Sequence, residues 1–317
     1  MMAESSVKME TGRLVIGRVG GKSTVTRCFS KYPLKFIVPS KAGRSEIDAV
    51  WIYTLTYGGG IVSGDCISFD LTVEDDCTAV LTTQASTKVY KSVALKCSEQ
   101  IMEARVGNGA LLVLIPDPVT CFSTAKYSQK QVFRIMSGSS LLVVDWITSG
   151  RHESGEKWDF TLYKSTNHIY MEAKPVFLDT VTQPYRTLSN LGKKLFISVL
   201  LENGHVTSIA ERMQDYQVIA MVILMGPKLK HIQNQIQEDV KKMMSGQLHV
   251  PSIRERTKAS NGDGYTKPPL IASCNSFGTK GIGVVVRIAA TTTESVYSFL
   301  HSQLTGMEPM LGLCPYL

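Results

Sequence analysis

Hydrophobic and polar residues alternate along much of the chain with a period of two, which is typical of β-strands that bury one face. The clearest case is the stretch ISFDLTV at 67–73, where four apolar side chains would point one way and three polar ones the other. Similar patterns predict strands at 12–17, 23–29, 50–56, 66–73, 79–83, 98–106, 110–114, 131–136, 140–148, 158–164, 169–173 and 195–201. The connections are short, and Gly-Asn-Gly at 107–109 is typical of a hairpin, so we expect mainly antiparallel neighbours.

Helical spacing is found only towards the C-terminus. Behind Pro227, apolar residues recur at intervals of three and four, which predicts an amphipathic helix at 228–244. A second helix is predicted at 293–304. Between the two helices, strands at 270–277 and 283–290 should form a hairpin.

The segment 247–269 is polar, basic and rich in turn-forming residues, and it is interpreted as a mobile surface loop. Strands greatly outnumber helices in this pattern. We therefore predict an all-β fold, mainly antiparallel, with a small C-terminal layer of two α-helices, and a single domain that covers residues 1–317.

Composition excludes several classes of protein. The 317 residues are 44% hydrophobic and 19% charged, which is normal for a globular chain with a sizeable core. The formal net charge is +7, but the basic residues are scattered, which favours a solvated surface over a nucleic-acid interface. We therefore expect no nucleic-acid partner.

The chain also lacks the patterns of a secreted or membrane protein. Residues 1–11 contain acidic residues and no apolar run, unlike a secretory signal. The longest apolar stretch, 218–225, falls well short of the roughly 20 residues that a membrane helix needs. The seven cysteines include no Cys-x-x-Cys pair, which is typical of reduced thiols. These features predict a cytoplasmic protein without a membrane partner.

One segment is similar to a phosphate-binding loop. Gly17 and Gly21 precede Lys22 and Ser23, but only three residues separate the glycines, whereas a phosphate loop needs four between its first glycine and the Gly-Lys pair. The following residues are β-branched and favour a strand over the required helix. A hairpin turn is the simpler interpretation, and a β-rich small-molecule or nucleotide-dependent enzyme is the alternative that it leaves open.

Two blocks of sequence stand out from this background. The first contains the glycine-rich segment YGGGIVSGD at 57–65 and the segment LTTQASTKVY at 81–90. The second contains LLVVDW at 141–146, TSGR at 148–151 and GEKW at 155–158. The candidate partner-contacting or motif residues in these blocks are Gly58, Gly59, Gly60, Gly64, Thr83, Gln84, Thr87, Lys88, Tyr90, Arg151, Gly155 and Trp158.

Taken in order, the two blocks resemble the urease accessory protein D family, also called UreD or UreH. The resemblance implies a non-catalytic chaperone that docks on apo-urease and, with UreF and the GTPase UreG, helps to install nickel. It also implies that the strands coil into β-helix-like sheets. No tightly bound cofactor is expected, because nickel would be a transient cargo. A plain adaptor without a metal role is a further alternative.

The six histidines lie far apart, and none has a His or Cys at ligand spacing, so a preformed high-affinity metal site is not expected. A weaker site built from oxygen ligands is the remaining possibility. Asp65 and Glu156 could line a passage for nickel. The family resemblance raises both as candidates, with Asp145 as a weaker third. The structural alternative is that Asp65 accepts backbone hydrogen bonds in its own turn and that Glu156 pairs with Arg151.

Overall fold

The computed structural model of the chain describes residues 10–39, 47–171, 194–203, 207–247, 267–278 and 281–316. In these residues the strands form two stacked sheets. The outer sheet contains, from edge to edge, β14 (Lys194–Glu202), β13 (Leu162–Met171), β11 (Lys126–Ile135), β8 (Ser98–Val106), β5 (Cys66–Val73), β1 (Gly12–Val19) and β2 (Lys22–Ser30). The inner sheet contains β16 (Leu270–Phe277), β17 (Gly283–Ala290), β15 (Val218–Met225), β12 (Ser140–Thr148), β9 (Leu111–Leu114), β6 (Thr78–Thr83), β4 (Val50–Thr56) and β3 (Leu34–Ile37). Two short strands, β7 (Thr87–Val89) and β10 (Val119–Cys121), extend the inner sheet from β12.

The chain passes back and forth between the two sheets, as in a β-helix. Strands β5, β8, β11 and β13 of the outer sheet alternate in sequence with β6, β9 and β12 of the inner sheet. Each sheet is therefore parallel in its centre, and antiparallel pairs such as β1–β2 and β12–β15 lie outside this parallel part. The coiled arrangement implied by the family resemblance is confirmed.

The prediction of mainly antiparallel neighbours was wrong. The turn at 107–109 joins β8 to β9, which belong to different sheets. Gly109 has the positive φ of 65° that a hairpin turn would also require, so the local chemistry is the same in both cases. After this turn the chain continues in the facing sheet and does not return along the sheet that contains β8.

Apolar side chains fill the space between the sheets, among them Ile67 and Leu71 from β5 and Leu112 and Val143 from the inner sheet. The other face of the inner sheet is covered by helices. Helix α1 (Ile209–Met213) packs against the core between the sheets, whereas α2 (Lys230–Gln247), α3 (Thr293–Leu304) and α4 (Glu308–Leu311) pack on the other face of the inner sheet. Because both of its faces are covered, the inner sheet has continuously apolar strands such as β15, whereas the outer sheet keeps a wet face.

Several sequence predictions can be placed on this fold. Helix α2 occupies most of the predicted span 228–244, and α3 coincides with the span 293–304. The hairpin of β16 and β17 is confirmed, and so is the hairpin turn at Gly20 and Gly21, which joins the paired strands β1 and β2.

Other predictions differ from the structure or lie outside it. Strand β11 begins five residues before the predicted strand at 131–136, and β13 is continuous where two strands were predicted. Most of the predicted loop at 247–269, from 248 to 266, lies outside the described residues. No helix in the described part of the chain is long and apolar enough to span a membrane.

Candidate functional site

The two sheets enclose a polar cluster at a place where apolar contacts would be expected. Strand β11 directs Gln129 and Gln131 inward, and in the neighbouring strand β13 these residues lie opposite Ser165 and Asn167. Asp145 faces them from the middle of β12 in the inner sheet. All five side chains are buried. Buried polar groups need partners, because an unmade hydrogen bond in a protein interior is costly.

Asp145 accepts most of the hydrogen bonds in this cluster. Its Oδ2 accepts a hydrogen bond of 2.8 Å from Asn167 Nδ2 and another from the Ser165 hydroxyl. Its Oδ1 accepts a hydrogen bond of 3.3 Å from the Tyr163 hydroxyl and lies 3.5 Å from Gln129 Nε2. The carboxylate is thus held by side chains from two strands of the outer sheet.

Burial raises the pKa of Asp145 above its ordinary value, because the ionised form loses the hydration that water provides. Hydrogen bonds from Ser165, Asn167 and Tyr163 act in the opposite direction but do not outweigh burial. Asp145 therefore gives up its proton less readily than an exposed aspartate does.

Two acceptors in the cluster have no hydrogen-bond partner among the described residues. They are Gln131 Oε1 and Asn167 Oδ1, and both atoms are buried. Orphaned acceptors of this kind are rare in folded proteins. The cluster therefore has more acceptors than donors, which suits a cation or a water molecule that donates hydrogen bonds.

A cavity of about 220 Å³ extends from this cluster to the protein surface. Asp145, Gln129 and Gln131 line its inner part. Its outer part is lined by residues of the β6–β7 connection, in which Gln84 and Ala85 are exposed. The cavity thus has a mouth at the LTTQ segment, and a buried carboxyl group is connected to solvent.

Four candidate residues from the sequence surround this mouth: Gly59, Thr83, Gln84 and Thr87. Thr83 is fixed by Asp117, whose backbone N–H donates a 2.8 Å hydrogen bond to Thr83 Oγ1. Asp117 also lines the cavity, and sequence analysis missed it.

Helix α3 reaches the mouth through Tyr297, whose hydroxyl donates a 2.7 Å hydrogen bond to Asp117 Oδ1. The Tyr297 ring also packs edge-on against Trp146, with ring centroids 4.8 Å apart. Burial raises the pKa of Tyr297, and the contact with Asp117 is a second, smaller cause of the same rise. The mouth is therefore held by residues that lie far apart in the sequence.

The glycine-rich loop lies beside the mouth and is held against β7. The Ile61 N–H donates to the Lys88 carbonyl at 2.8 Å, and the Tyr90 N–H donates to the Ile61 carbonyl at 2.9 Å. Gly60 is required here, since a Cβ atom would lie 2.8 Å from the Lys88 carbonyl oxygen. The Tyr90 hydroxyl adds a 3.2 Å hydrogen bond to the Gly58 carbonyl.

Asp65 ends the glycine-rich loop and does not line the cavity. Its Oδ2 accepts a 2.9 Å hydrogen bond from the Val62 N–H, and its own N–H donates to the Val62 carbonyl at 2.9 Å. Gly64 lies inside this turn with a φ of 84°. These are the contacts expected if Asp65 only stabilises its own turn. The metal role of Asp65 stays a prediction.

The second block of sequence contains an ion pair. Arg151 Nε lies 3.1 Å from Glu156 Oε2, and a second guanidinium nitrogen contacts Oε1. The Arg151 hydrogen bond holds the pKa of Glu156 below its ordinary value. The guanidinium also lies over the Phe122 ring at 4.1 Å, and Tyr90 packs edge-on against the same ring at 5.2 Å. The two blocks therefore meet at Phe122, a residue that sequence analysis missed.

Gly155 and Trp158 stabilise the turn that carries this ion pair. Gly155 adopts a φ of 74° and donates its N–H to the His152 carbonyl at 2.9 Å. Trp158 is buried, and its indole N–H donates to the Tyr216 carbonyl at 3.0 Å. Both contacts, like the ion pair of Arg151 and Glu156, join residues of this chain to one another.

The three predicted carboxylates are not brought together. Asp65 closes a turn, Glu156 pairs with Arg151, and only Asp145 lines the cavity. Across the described ranges, no three His, Cys, Asp or Glu side chains are grouped so that they could hold a metal ion. The cavity offers two carboxyl groups, Asp145 in its inner part and Asp117 near its mouth, among amides and hydroxyls.

The chain is similar along most of its length to known proteins of one family. A family model described as UreD urease accessory protein matches residues 10–315. The urease accessory protein D of Arabidopsis thaliana is 60% identical over 311 residues, which cover 97% of this chain and 100% of that protein. The protein of the same name from Oryza sativa subsp. japonica is 56% identical over 318 residues, or 100% of this chain and 97% of that protein. A urease accessory protein UreD from Anaeromyxobacter sp. strain Fw109-5 is 29% identical over 313 residues, or 99% of this chain and 90% of that protein.

Proposed function

The chain belongs to the urease accessory protein D family, and from this premise we propose that it is a non-catalytic chaperone through which nickel passes to apo-urease. Family membership supports a role in urease maturation. The observation that carries the finer proposal is the buried Asp145, which lies in a cavity that opens at the family-like LTTQ segment.

The size and polarity of the cavity suit a hydrated cation. A volume of about 220 Å³ leaves room for several water molecules beside an ion. Asp145 would supply a negative charge, because a nearby cation favours the ionised form of a carboxyl group. The orphaned oxygens of Gln131 and Asn167 would accept hydrogen bonds from the waters of the ion or contact it directly.

The same lining would hold nickel only weakly. Thiolates and imidazoles bind nickel tightly, but no described residue that lines the cavity is Cys or His. A passage must bind its cargo well enough to admit it and weakly enough to release it. The buried Asp145 with neutral oxygen ligands meets both conditions, because the second carboxylate, Asp117, lies near the mouth and accepts a hydrogen bond from Tyr297.

The partners of this pathway are those that the family resemblance implies, namely apo-urease, UreF and the GTPase UreG. We assign nucleotide hydrolysis to UreG and not to this chain, because Gly20 and Gly21 form a hairpin turn between paired strands. We place the pathway in the cytoplasm, where seven unpaired cysteines would remain reduced.

The decisive measurement is the nickel content of urease activated with purified chaperone, UreF and UreG. The variant Asp145→Asn keeps the size of the side chain and removes its charge, so we expect less nickel per urease active site. The matched control is Asp70→Asn, which removes a carboxylate from the wet face of the outer sheet and should leave nickel content unchanged. Co-purification of the partners reports whether the complex still assembles.

Each result has a clear meaning. Normal nickel content with Asp145→Asn in an assembled complex would contradict the nickel passage and leave the chain as an adaptor without a metal role. The variants Asp65→Ala and Glu156→Ala test the other two predicted carboxylates in the same assay. A loss of complex assembly in either variant would assign that residue to a docking surface.

A further inference from the structure

The segment 91–96, called the apolar loop below, exposes large apolar side chains beside the glycine-rich loop. Leu95 is 79% exposed and Val93 is 67% exposed. Val62, which lies on the neighbouring glycine-rich loop, is 46% exposed. Clustered apolar side chains that water surrounds often mark a surface for protein binding.

The backbone of the apolar loop is held in an unfavourable conformation. Ala94 and Leu95 have φ values of 51° and 59°, in the left-handed region that side chains with a Cβ atom normally avoid. A leucine in this conformation is an outlier, since glycine or asparagine would be more stable there. The conformation directs an apolar side chain into solvent, which gives no benefit to the folded chain alone.

Hydrogen bonds fix the apolar loop in this shape. The Val93 N–H donates to Ser63 Oγ at 2.8 Å, and the Ser63 hydroxyl donates back to the Val93 carbonyl at 3.3 Å. The Ser92 hydroxyl donates to the Lys96 carbonyl at 2.8 Å. The apolar side chains are therefore presented on a braced loop, so that little conformational entropy would be lost when a partner binds.

The stretch of chain that contains the apolar loop is basic. Residues 77–98 contain Lys88, Lys91 and Lys96 but no Asp or Glu, and all three lysines are exposed. A complementary surface would have an apolar pocket with carboxylates along its border. Such a border would attract the lysines over a distance and reject basic competitors.

The apolar loop is also attached to the cavity mouth. Ser63, its hydrogen-bond partner, belongs to the same glycine-rich loop as Gly59, which lines the cavity. A protein bound here would lie next to the opening through which cargo would leave or enter.

We propose that the apolar loop docks into an apolar pocket with an acidic border on apo-urease. This inference rests on the proposed function, because it takes the protein that receives nickel as the one that covers the mouth. Leu95 is the central contact and Val93 supports it, while Lys91 and Lys96 set the orientation and the rate of association.

The test is the affinity of the purified full chain for apo-urease. Leu95→Asp should weaken binding about tenfold or more, the usual result of placing a charge at a central apolar contact. Leu95→Gly removes the same side chain while suiting the left-handed backbone, so it should weaken binding without loss of thermal stability. The matched control is Val19→Asp at the β1–β2 turn, where a 55% exposed valine should tolerate the change without effect on binding.

The outcomes separate this inference from the proposed function. If the wild-type chain binds apo-urease and both Leu95 variants bind equally well, the docking surface is wrong and the proposed function stands. If the wild-type chain does not bind apo-urease at all, both are wrong. If the Leu95 variants change only the self-association of the chain, measured by sedimentation, the loop is a contact between two copies and the assignment to apo-urease is overturned.

Discussion

Asn167 donates a 2.8 Å hydrogen bond to the carboxylate of Asp145, while its own buried amide oxygen has no partner in the described part of the chain. Asp145 thus takes up the amide donor of Asn167, and the amide oxygens of Asn167 and Gln131 are left without a partner. In the proposed passage, these two amide oxygens suit a positively charged ion, because they can accept hydrogen bonds from its water molecules or contact it directly.

The first prediction concerns the pH dependence of stability at Asp145. Burial raises its folded-state pKa above the ordinary 3.8, so the folded state binds this proton more tightly than the unfolded state. The free energy of unfolding of the wild type relative to Asp145→Asn should be highest below about pH 4 and should fall as pH rises through the folded-state pKa. Urea unfolding of both proteins between pH 4 and pH 8 measures this difference.

The same series with Asp70→Asn controls for a simple change in net charge, since Asp70 lies on the wet face of the outer sheet. A wild-type advantage at Asp145 that grows with pH would show that the hydrogen bonds outweigh burial.

The second prediction concerns the ion pair of Arg151 and Glu156. The Glu156 side chain is buried, with 8% of the residue exposed. We expect Glu156→Gln to lower thermal stability more than Asp65→Asn does. The Asp65→Asn substitution should cost about 1 kcal/mol or less. Thermal unfolding of the two variants at pH 7 makes the comparison.

The pH dependence of this effect has the opposite sign to that of Asp145. Because Arg151 lowers the pKa of Glu156, the stability from the pair is present above the ordinary pKa of 4.5 and is lost as pH falls through the folded-state value. The deficit of Glu156→Gln should therefore shrink in acid. A constant deficit between pH 3 and pH 7 would mean that the side chain acts by packing alone.

The third prediction concerns helix α2, whose residue Ile236 is buried against the inner sheet. Ile236→Asp places an unpaired charge in that core, and the cost of several kcal/mol is comparable to the stability of a whole domain. The variant should unfold, whereas Gln235→Asp at the adjacent exposed position should stay within about 0.5 kcal/mol of the wild type. Circular dichroism and urea unfolding separate the two. A folded Ile236→Asp protein that loses only partner binding would place this face at an interface.

The fourth prediction concerns nucleotides. Gly20 and Gly21 form a tight turn between Val19 and Lys22, which are paired across β1 and β2, so the backbone N–H groups cannot encircle a phosphate. The purified chain should release no phosphate from GTP or ATP, and Lys22→Ala should give the same result. Turnover that Lys22→Ala abolishes would favour the enzyme alternative.

The strand predictions stopped short where inward-facing residues are polar, and they also missed the apolar strands β3 and β15. The predicted strand at 131–136 begins after Gln129, and the predicted strands at 158–164 and 169–173 leave out Ser165 and Asn167. These omitted residues form the polar cluster around Asp145. A useful signal was present in β11, where the period of two puts Gln129 and Gln131 on the same face as Phe133.

The sequence by itself determined the local properties of this protein: the period of two, the turns, the apolar stripe of α2 and the blocks that resemble the UreD family. It could not determine which sheet each turn leads to, because a turn that reverses the chain and a turn that crosses to a facing sheet use the same residues. The tertiary structure also decided which polar residues face inward. Alternation shows that Gln131 and Phe133 share a face, but only the facing strand β12 makes that face an interior with Asp145 in it.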